Sequence, residues 1–210
     1  SPIAITGATS GSIENRGAIT ATAGSAGLVA FVAPSVVNSG TITALGGKIV
    51  LAGAQAATVS FNGALYEVTV NESIASGFVS NSGTLSTGTA SGVIQMSALH
   101  AADVVSGLIN LEGVQRASRI EVNGGVVELK SDLEAATVTG ASSTINVSGS
   151  GRLQDAVDIA KAGAPGDRAT VNLADGTYVQ NATLNVNKSL TLRGASEAAA
   201  MLGVSKKVKR

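Results

Sequence analysis

The sequence predicts an all-β fold, a right-handed parallel β-helix (solenoid) carrying one short amphipathic helix near 152–162. Three observations lead there. An apolar-Asn-x-Gly motif recurs at a nearly constant interval. The segments after each motif alternate apolar and small polar residues. The apolar content, 44% of 210 residues, comes almost wholly from Ala, Val, Ile and Leu, because aromatics make up only 2%. Such side chains fill thin, regular layers, and the β-branched ones favour strands.

The motif reads Ile13-Glu14-Asn15-Arg16-Gly17-Ala18-Ile19-Thr20-Ala21, then Val37-Asn38-Ser39-Gly40-Thr41-Ile42-Thr43-Ala44, then Val79-Ser80-Asn81-Ser82-Gly83-Thr84-Leu85-Ser86-Thr87. A looser copy, Phe61-Asn62-Gly63-Ala64-Leu65, lies between the second and third, so the Asn positions are spaced 23, 24 and 19 residues apart. Weaker echoes follow at Val104-Val105-Ser106-Gly107-Leu108-Ile109 and Ile120-Glu121-Val122-Asn123-Gly124-Gly125. Internal repeats of this length mark stacked architectures. One period cannot bury its apolar face alone and must pair with the next. Asn and Gly at the corners (Asn15, Gly17, Asn38, Gly40, Asn62, Gly63, Asn81, Gly83, Asn123 and Gly124) are expected to supply positive φ. Stacked Asn side chains can hydrogen-bond from one coil to the next.

Each period has a second half introduced by Gly or Ser-Gly: Gly27-Leu28-Val29-Ala30-Phe31-Val32-Ala33, Gly47-Lys48-Ile49-Val50-Leu51-Ala52 and Ser91-Gly92-Val93-Ile94-Gln95-Met96-Ser97. Period-two alternation sends one set of side chains inward and the other outward. Frequent Gly and the Thr, Val and Ile content oppose helices. An antiparallel sandwich is the main rival, and the recurring interval favours the solenoid.

The texture changes near residue 150. The reading divides the chain into a repeat region 1–147, a small-residue joint 148–151 and a helix-capped restart 152–210. In Arg152-Leu153-Gln154-Asp155-Ala156-Val157-Asp158-Ile159-Ala160-Lys161-Ala162-Gly163, Leu153, Ala156, Val157 and Ala160 share one helical face, and Gly163 is a suitable stop. Strands are expected again at 169–173, 177–179, 182–186 and 189–192.

Residues 171–194 carry Val171, Leu173, Gly176, Tyr178 and Lys188-Ser189-Leu190-Thr191-Leu192-Arg193-Gly194. With the preceding helix, this pattern resembles the opening of a pectate-lyase-like β-helix. The resemblance implies that the helix plugs the end of the stack, shields strand edges and precedes a second solenoid. Residues 13–98 resemble the repeat region of filamentous-haemagglutinin-like two-partner secretion exoproteins. The residues that carry it are 13–21, 37–44 and 47–52, with the pattern apolar-Asn-x-Gly-x-Ile-x-Ala followed by Gly-x-Ile-x-Leu-Ala. That family's N-terminal secretion domain, with its Asn-Pro-Asn motifs, is absent. The resemblance implies a large adhesin exported across the outer membrane of a Gram-negative bacterium. Its implied partners are the outer-membrane transporter of the parent chain, host or matrix glycans and proteins, and like chains in a homo-oligomer or filament.

Charge and chemistry narrow the function. Net charge is zero, so no global field recruits nucleic acid or an anionic surface. Charge is uneven: residues 1–100 hold only Glu14, Arg16, Lys48, Glu67 and Glu72. The basic run Ser205-Lys206-Lys207-Val208-Lys209-Arg210 reads as a solvated tail or the end of a fragment, with a processing or partner-binding segment as the alternative. The start at Ser1-Pro2 reads as a processed or partial chain, and no apolar run is long enough for a membrane span. There is no Cys, and His100 is the single histidine, which speaks against zinc or haem ligation. Asp155 and Asp158 are expected on a solvated helix face, and Asp167 with Arg168 as a local surface pair. Phe31, Phe61 and Phe78 are expected in the core, and Tyr66 is the candidate ligand contact. No catalytic residue, metal site or cofactor is expected. The reading is a structural or adhesive segment of a secreted surface fibre rather than an enzyme. The alternatives are part of a carbohydrate-active, polysaccharide-lyase-like β-helix, or a glycan-binding module tested by Tyr66→Ala.

Overall fold

The computed structural model describes residues 2–6, 10–22, 27–62, 65–73, 77–88, 91–98, 108–113, 115–148, 151–180, 182–195 and 200–204. These residues are mostly β, with one short helix. The first repeat holds β1 (Ile3–Thr6), β2 (Ser12–Asn15), β3 (Ala18–Thr20) and β4 (Leu28–Ala33). The second holds β5 (Ser35–Asn38), β6 (Thr41–Thr43) and β7 (Lys48–Asn62), and β7 turns back into β8 (Leu65–Ser73). Then come β9 (Phe78–Asn81), β10 (Thr84–Ser86), β11 (Val93–Ala98), β12 (Leu108–Leu111), β13 (Gln115–Gly124), β14 (Val126–Leu129), β15 (Leu133–Gly140) and β16 (Thr144–Val147). The chain continues with α1 (Leu153–Ile159), β17 (Ala169–Leu173), β18 (Gly176–Gln180), β19 (Leu190–Gly194) and β20 (Ala200–Val204).

Pairing is overwhelmingly parallel. One ladder runs β2-β5-β9-β12-β14-β16-β17-β19. In it, Val36, Val79, Ile109, Val127, Ile145 and Val171 stand side by side in register, each with no solvent exposure. A second ladder brings β4, β7, β11, β13 and β15 together, aligning Val29, Ile49, Ile94, Ile120 and Val138. The short strands β3, β6 and β10 lead into β13 as well. The inward residues of both ladders belong to one apolar cluster that reaches from Val29 to Tyr178. Burying each Val, Leu or Ile contributes about 1.5–3 kcal/mol, so the core is a sum of many equal small layers.

Among the described residues, antiparallel pairing is confined to one place. The looser copy around Asn62 is not a repeat unit. Beyond Gly53, β7 continues as the first arm of a hairpin, and Asn62 pairs with Leu65 across its tip. Gly63 lies outside the described residues. β1 pairs antiparallel with the same stretch of β7, Ile3 opposite Val59. This small sheet encloses a second apolar cluster of Val50, Ala52, Ala54, Ala57, Val59 and Val68, against which Ile5, Leu28, Ala30 and Val32 pack. The step from Asn38 to Asn81 is therefore 43 residues, one period plus the hairpin. Period-two alternation is the same in a parallel stack and a hairpin, which is why the two looked alike in sequence.

The 148–151 joint does not interrupt the first ladder. β16 pairs β17 directly, Ile145 beside Val171. What α1 replaces is the next strand of the second ladder. Ala160, just past the helix, bridges in parallel to Ser142, and a Cβ on Gly140 would strike the backbone of Ile159. The helix is shorter than the expected 152–162 and stops before Gly163, because Ala160 is already extended at φ −66, ψ 135. The expected strand at 182–186 is absent. The other expected strands in this region appear as β17, β18 and β19.

Candidate functional site

Two columns of residues organise the corners. Asn15, Asn38 and Asn81 occupy one row of the first ladder and are buried. Asn15 Nδ2 donates to Asn38 Oδ1 at 2.7 Å, and Asn38 Nδ2 donates to Asn81 Oδ1 at 2.7 Å. The next residue in the row is Leu111, so Asn81 Nδ2 donates instead to the Glu112 carbonyl at 2.7 Å. Gln115 Nε2 reaches the same carbonyl at 2.9 Å. The result is a buried amide chain across four repeats. In a low-dielectric interior the Asn-to-Asn hydrogen bonds rigidify the fold and specify register, while the buried Gln115 Oε1 at the end of the chain has no hydrogen-bond partner among the described residues. Each Asn also serves its own corner: Asn15 Oδ1 accepts the Gly17 N–H at 3.1 Å, and Asn38 and Asn81 donate to the carbonyls of Gly40 and Gly83.

The glycine column has a different reason from the one expected. Gly17, Gly40 and Gly83 are not among the positive-φ glycines; in this column only Gly113 is, at φ 83. Close approach demands glycine instead. A Cβ on Gly40 would overlap the Gly17 carbonyl oxygen, one on Gly83 the Gly40 oxygen, and one on Gly113 the Gly83 oxygen. Gly17, in the end repeat, would meet nothing within 4 Å. A second column behaves alike, since a Cβ on Gly47 would overlap the Gly27 oxygen. Asn123 and Gly124 are not corner residues. They end β13, opposite Ser97 and Ala98, and the corner falls at Gly125.

The helix is held by a charged latch that the sequence reading placed in solvent. Asp155 is only 2% exposed. Its Oδ2 accepts the Leu133 N–H at 3.0 Å, and Arg152 Nη2 donates to its Oδ1 at 2.7 Å and to the Leu133 carbonyl at 3.0 Å. The pair ties the first turn of α1 to the start of β15. The Asp155 hydrogen bond holds the Arg152 guanidinium above its ordinary pKa, and partial burial raises the Asp132 carboxyl nearby. At the other end, Lys188 Nζ donates to the carbonyls of Asp158 and Ala160 at 2.7 and 2.8 Å. Asp155→Ala is expected to cost about 2–4 kcal/mol, because it orphans a buried N–H and half of an ion pair. Asp158→Ala removes the hydrogen bond from Gln154 Nε2 and a half-exposed carboxylate that faces Lys188, and is expected to cost less than about 1 kcal/mol. Urea unfolding of the two variants checks the contrast.

The remaining sequence candidates fall as follows. Asp167 pairs with Lys161 at 2.5 Å rather than with Arg168. Phe31 is half-buried against the main cluster. Phe78 is half-buried but out of phase with the inward Val79, so it is not a core residue. The side chains of Phe61 and Tyr66 lie outside the described residues, as does His100. Tyr178, named only as an aromatic in the sequence pattern, is buried and donates its hydroxyl to the Val147 carbonyl at 2.8 Å. Burial is the main cause that raises its pKa. On the outward side of the first ladder, Asn172 Nδ2 donates to Asn146 Oδ1 at 2.8 Å, and Asn146 Nδ2 to Glu128 Oε1 at 2.5 Å.

Among the described residues there is no group of three or more His, Cys, Asp or Glu placed to hold a metal ion. No helix among them is long and apolar enough to cross a membrane. What the site geometry defines is a structural core: a mostly β protein whose repeats are locked by buried amides and by backbone contact at glycine. Comparison with protein-family models, with curated proteins and with solved structures returned no match.

Proposed function

We propose that the chain is a right-handed parallel β-helix that serves as a structural and adhesive segment of a large secreted bacterial surface or extracellular fibre protein, and that it is not an enzyme. The observation that carries this reading is the uninterrupted parallel ladder from β2 to β19, with one inward apolar residue per repeat and the Asn and Gly columns beside it. Stacked repeats of this kind extend indefinitely by adding equal layers of about 4.8 Å, which suits a spacer or fibre. The polarity of the surface supports it too: the first half stays wet through Ser, Thr and Asn rather than charge. The filamentous-haemagglutinin-like pattern supplies the rest of the proposal, namely export through an outer-membrane transporter and contact with host or matrix glycans or proteins.

The reading has two checks. Small-angle scattering of the purified chain should give an elongated particle, and a sphere-like distance distribution would remove the β-helix. Antibodies against the chain should label intact source cells or their culture supernatant. Labelling that appears only after lysis would remove the surface role.

A further inference from the structure

We propose that residues 151–160 form a two-state element: α1 occupies the place of the next strand of the second ladder, and Asp158 is the residue that keeps it helical. From β12 to β16 in the first ladder, and from β13 to β15 in the second, paired residues stand 18 apart, as Asn146 does from Glu128 and Glu134 from Arg116. The step survives past β15. Ala160 lies beside Ser142 in parallel. The Ser142 N–H donates to the Ile159 carbonyl and the Lys161 N–H to the Ser142 carbonyl, each at 3.0 Å. The end of this stretch is therefore already paired as a strand. Gly151 is as far from Ala160 in sequence as Leu133 is from Ser142, so 151–160 fits beside β15 without insertion or deletion.

In the helical form, side chains of α1 stand in for a strand neighbour on both sides. On one side, Asp155 Oδ2 accepts the Leu133 N–H and Arg152 Nη2 donates to the Leu133 carbonyl, each at 3.0 Å. On the other, Gln154 Oε1 accepts the Asn185 N–H at 2.9 Å, and Gln154 Nε2 donates to the Asn185 carbonyl at 3.3 Å. Asn185 belongs to 182–186, the run whose sequence marks a strand and which forms none here. Leu184 of that run already packs against the main core. The helix thus sits between two segments with strand patterning and satisfies one N–H and one carbonyl of each.

The helix is weak in itself. It has seven residues and no side-chain hydrogen bond at its N-cap, and helices this short depend on tertiary support. The strand register shows what opposes the alternative. Leu153 would join the row of Ala117 and Ala135, and Ala156 the row of Ile120 and Val138, both apolar. Asp158 would join Met96, Val122 and Gly140, and Met96 and Val122 have no solvent exposure. An unpaired carboxylate in that row is strongly unfavourable. As a helix, the segment keeps Asp158 out of the core, bonded by Gln154 Nε2 at 2.8 Å and near Lys188. It also keeps Val157 buried, whereas a strand would set it beside exposed Thr139. One charge and one valine thus hold the helix against the backbone pairing of a full strand.

Backbone NMR of the isotope-labelled 210-residue chain tests it. The parent should show helical Cα shifts over 153–159. Asp158→Val should move the shifts of 153–158 to the strand side and bring the backbone protons of Ala156 and Val138 into contact. Asp158→Thr, uncharged and β-branched, should move them in the same direction by less, and it serves as the second variant if valine impairs folding. Asp155→Ala breaks the latch but leaves Asp158 in place, so it should loosen the helix without producing strand shifts. Helical or unstructured shifts over 153–158 in both Asp158 variants would overturn the proposal, as would strand shifts in Asp155→Ala. Loss of protected amides at Val127 and Ile145 in both Asp158 variants would overturn it as well, because the strand form leaves β12 to β16 unchanged.

Discussion

Gly83→Ala and Gly40→Ala are each expected to lose about 3 kcal/mol or more of unfolding free energy, whereas Gly17→Ala should be neutral or gain a few tenths. The three residues share a motif, a corner and a column, so sequence alone treats them as equivalent. The structure separates them. At Gly40 and Gly83 the space for a methyl group is held by the carbonyl oxygen of the preceding repeat. That oxygen is backbone, part of a ladder in which Thr41 N–H bonds the Gly17 carbonyl at 2.8 Å and Thr84 N–H the Gly40 carbonyl at 2.9 Å. A rotamer change cannot relieve such a clash, and moving the backbone breaks the pairing on both sides. Gly17 has no repeat before it among the described residues and no heavy atom within 4 Å of its Cβ position. It also avoids the left-handed region, so alanine only reduces the freedom of the unfolded chain. Equilibrium urea unfolding of the three variants decides the matter. Equal losses at all three sites would mean that the glycines serve turn conformation rather than close stacking.

Asn38→Leu is expected to cost about 2–4 kcal/mol, because it leaves the Asn81 Oδ1 acceptor without Asn38 and the Asn15 amide with only its 3.3 Å bond to the Gly17 carbonyl, at about 1–3 kcal/mol for each unmade bond. Asn38 is fully buried, so no solvent replaces the lost partner. The informative variant is the triple change of Asn15, Asn38 and Asn81 to Leu. Leu111 and Leu129 already fill the continuation of that row, and removing donors and acceptors together leaves fewer orphans. The triple variant should therefore cost clearly less than three single losses added up. A double-mutant cycle over Asn15 and Asn38 measures the coupling directly. Strict additivity would show that the amides act independently and that the chain of hydrogen bonds carries no shared energy.

Legibility followed the physical origin of each feature. The strands β2, β3, β5, β6, β9 and β10 were readable because apolar-Asn-x-Gly followed by alternation is a local signal, repeated until it stands out. The stacking of Asn on Asn was readable for the same reason: equal residues at equal positions meet when repeats pair in register. The hairpin of β7 and β8 was misread because a two-residue Gly63-Ala64 link between alternating runs has the same texture as a corner, although it is itself a hairpin signal. Asp155 was misplaced because helical periodicity distributes polar residues outward by default. It cannot see that the first turn meets the buried N–H of Leu133 from a strand 22 residues earlier. Asn123-Gly124 has the composition of a turn, yet pairing with β11 keeps the strand extended through both residues.

Composition and repetition, then, determined by themselves that this protein is β-rich, that its strands are short and that like residues recur at like positions, because each of those is a property of neighbours along the chain. The tertiary structure alone decided which repeats touch. It made one glycine column intolerant of a methyl group, extended one strand into a hairpin with its own apolar cluster, and drew a carboxylate into the interior to hold a helix in place of a strand. Those outcomes depend on what arrives from the adjacent layer, 18 to 43 residues away, and a local pattern carries no information about that arrival.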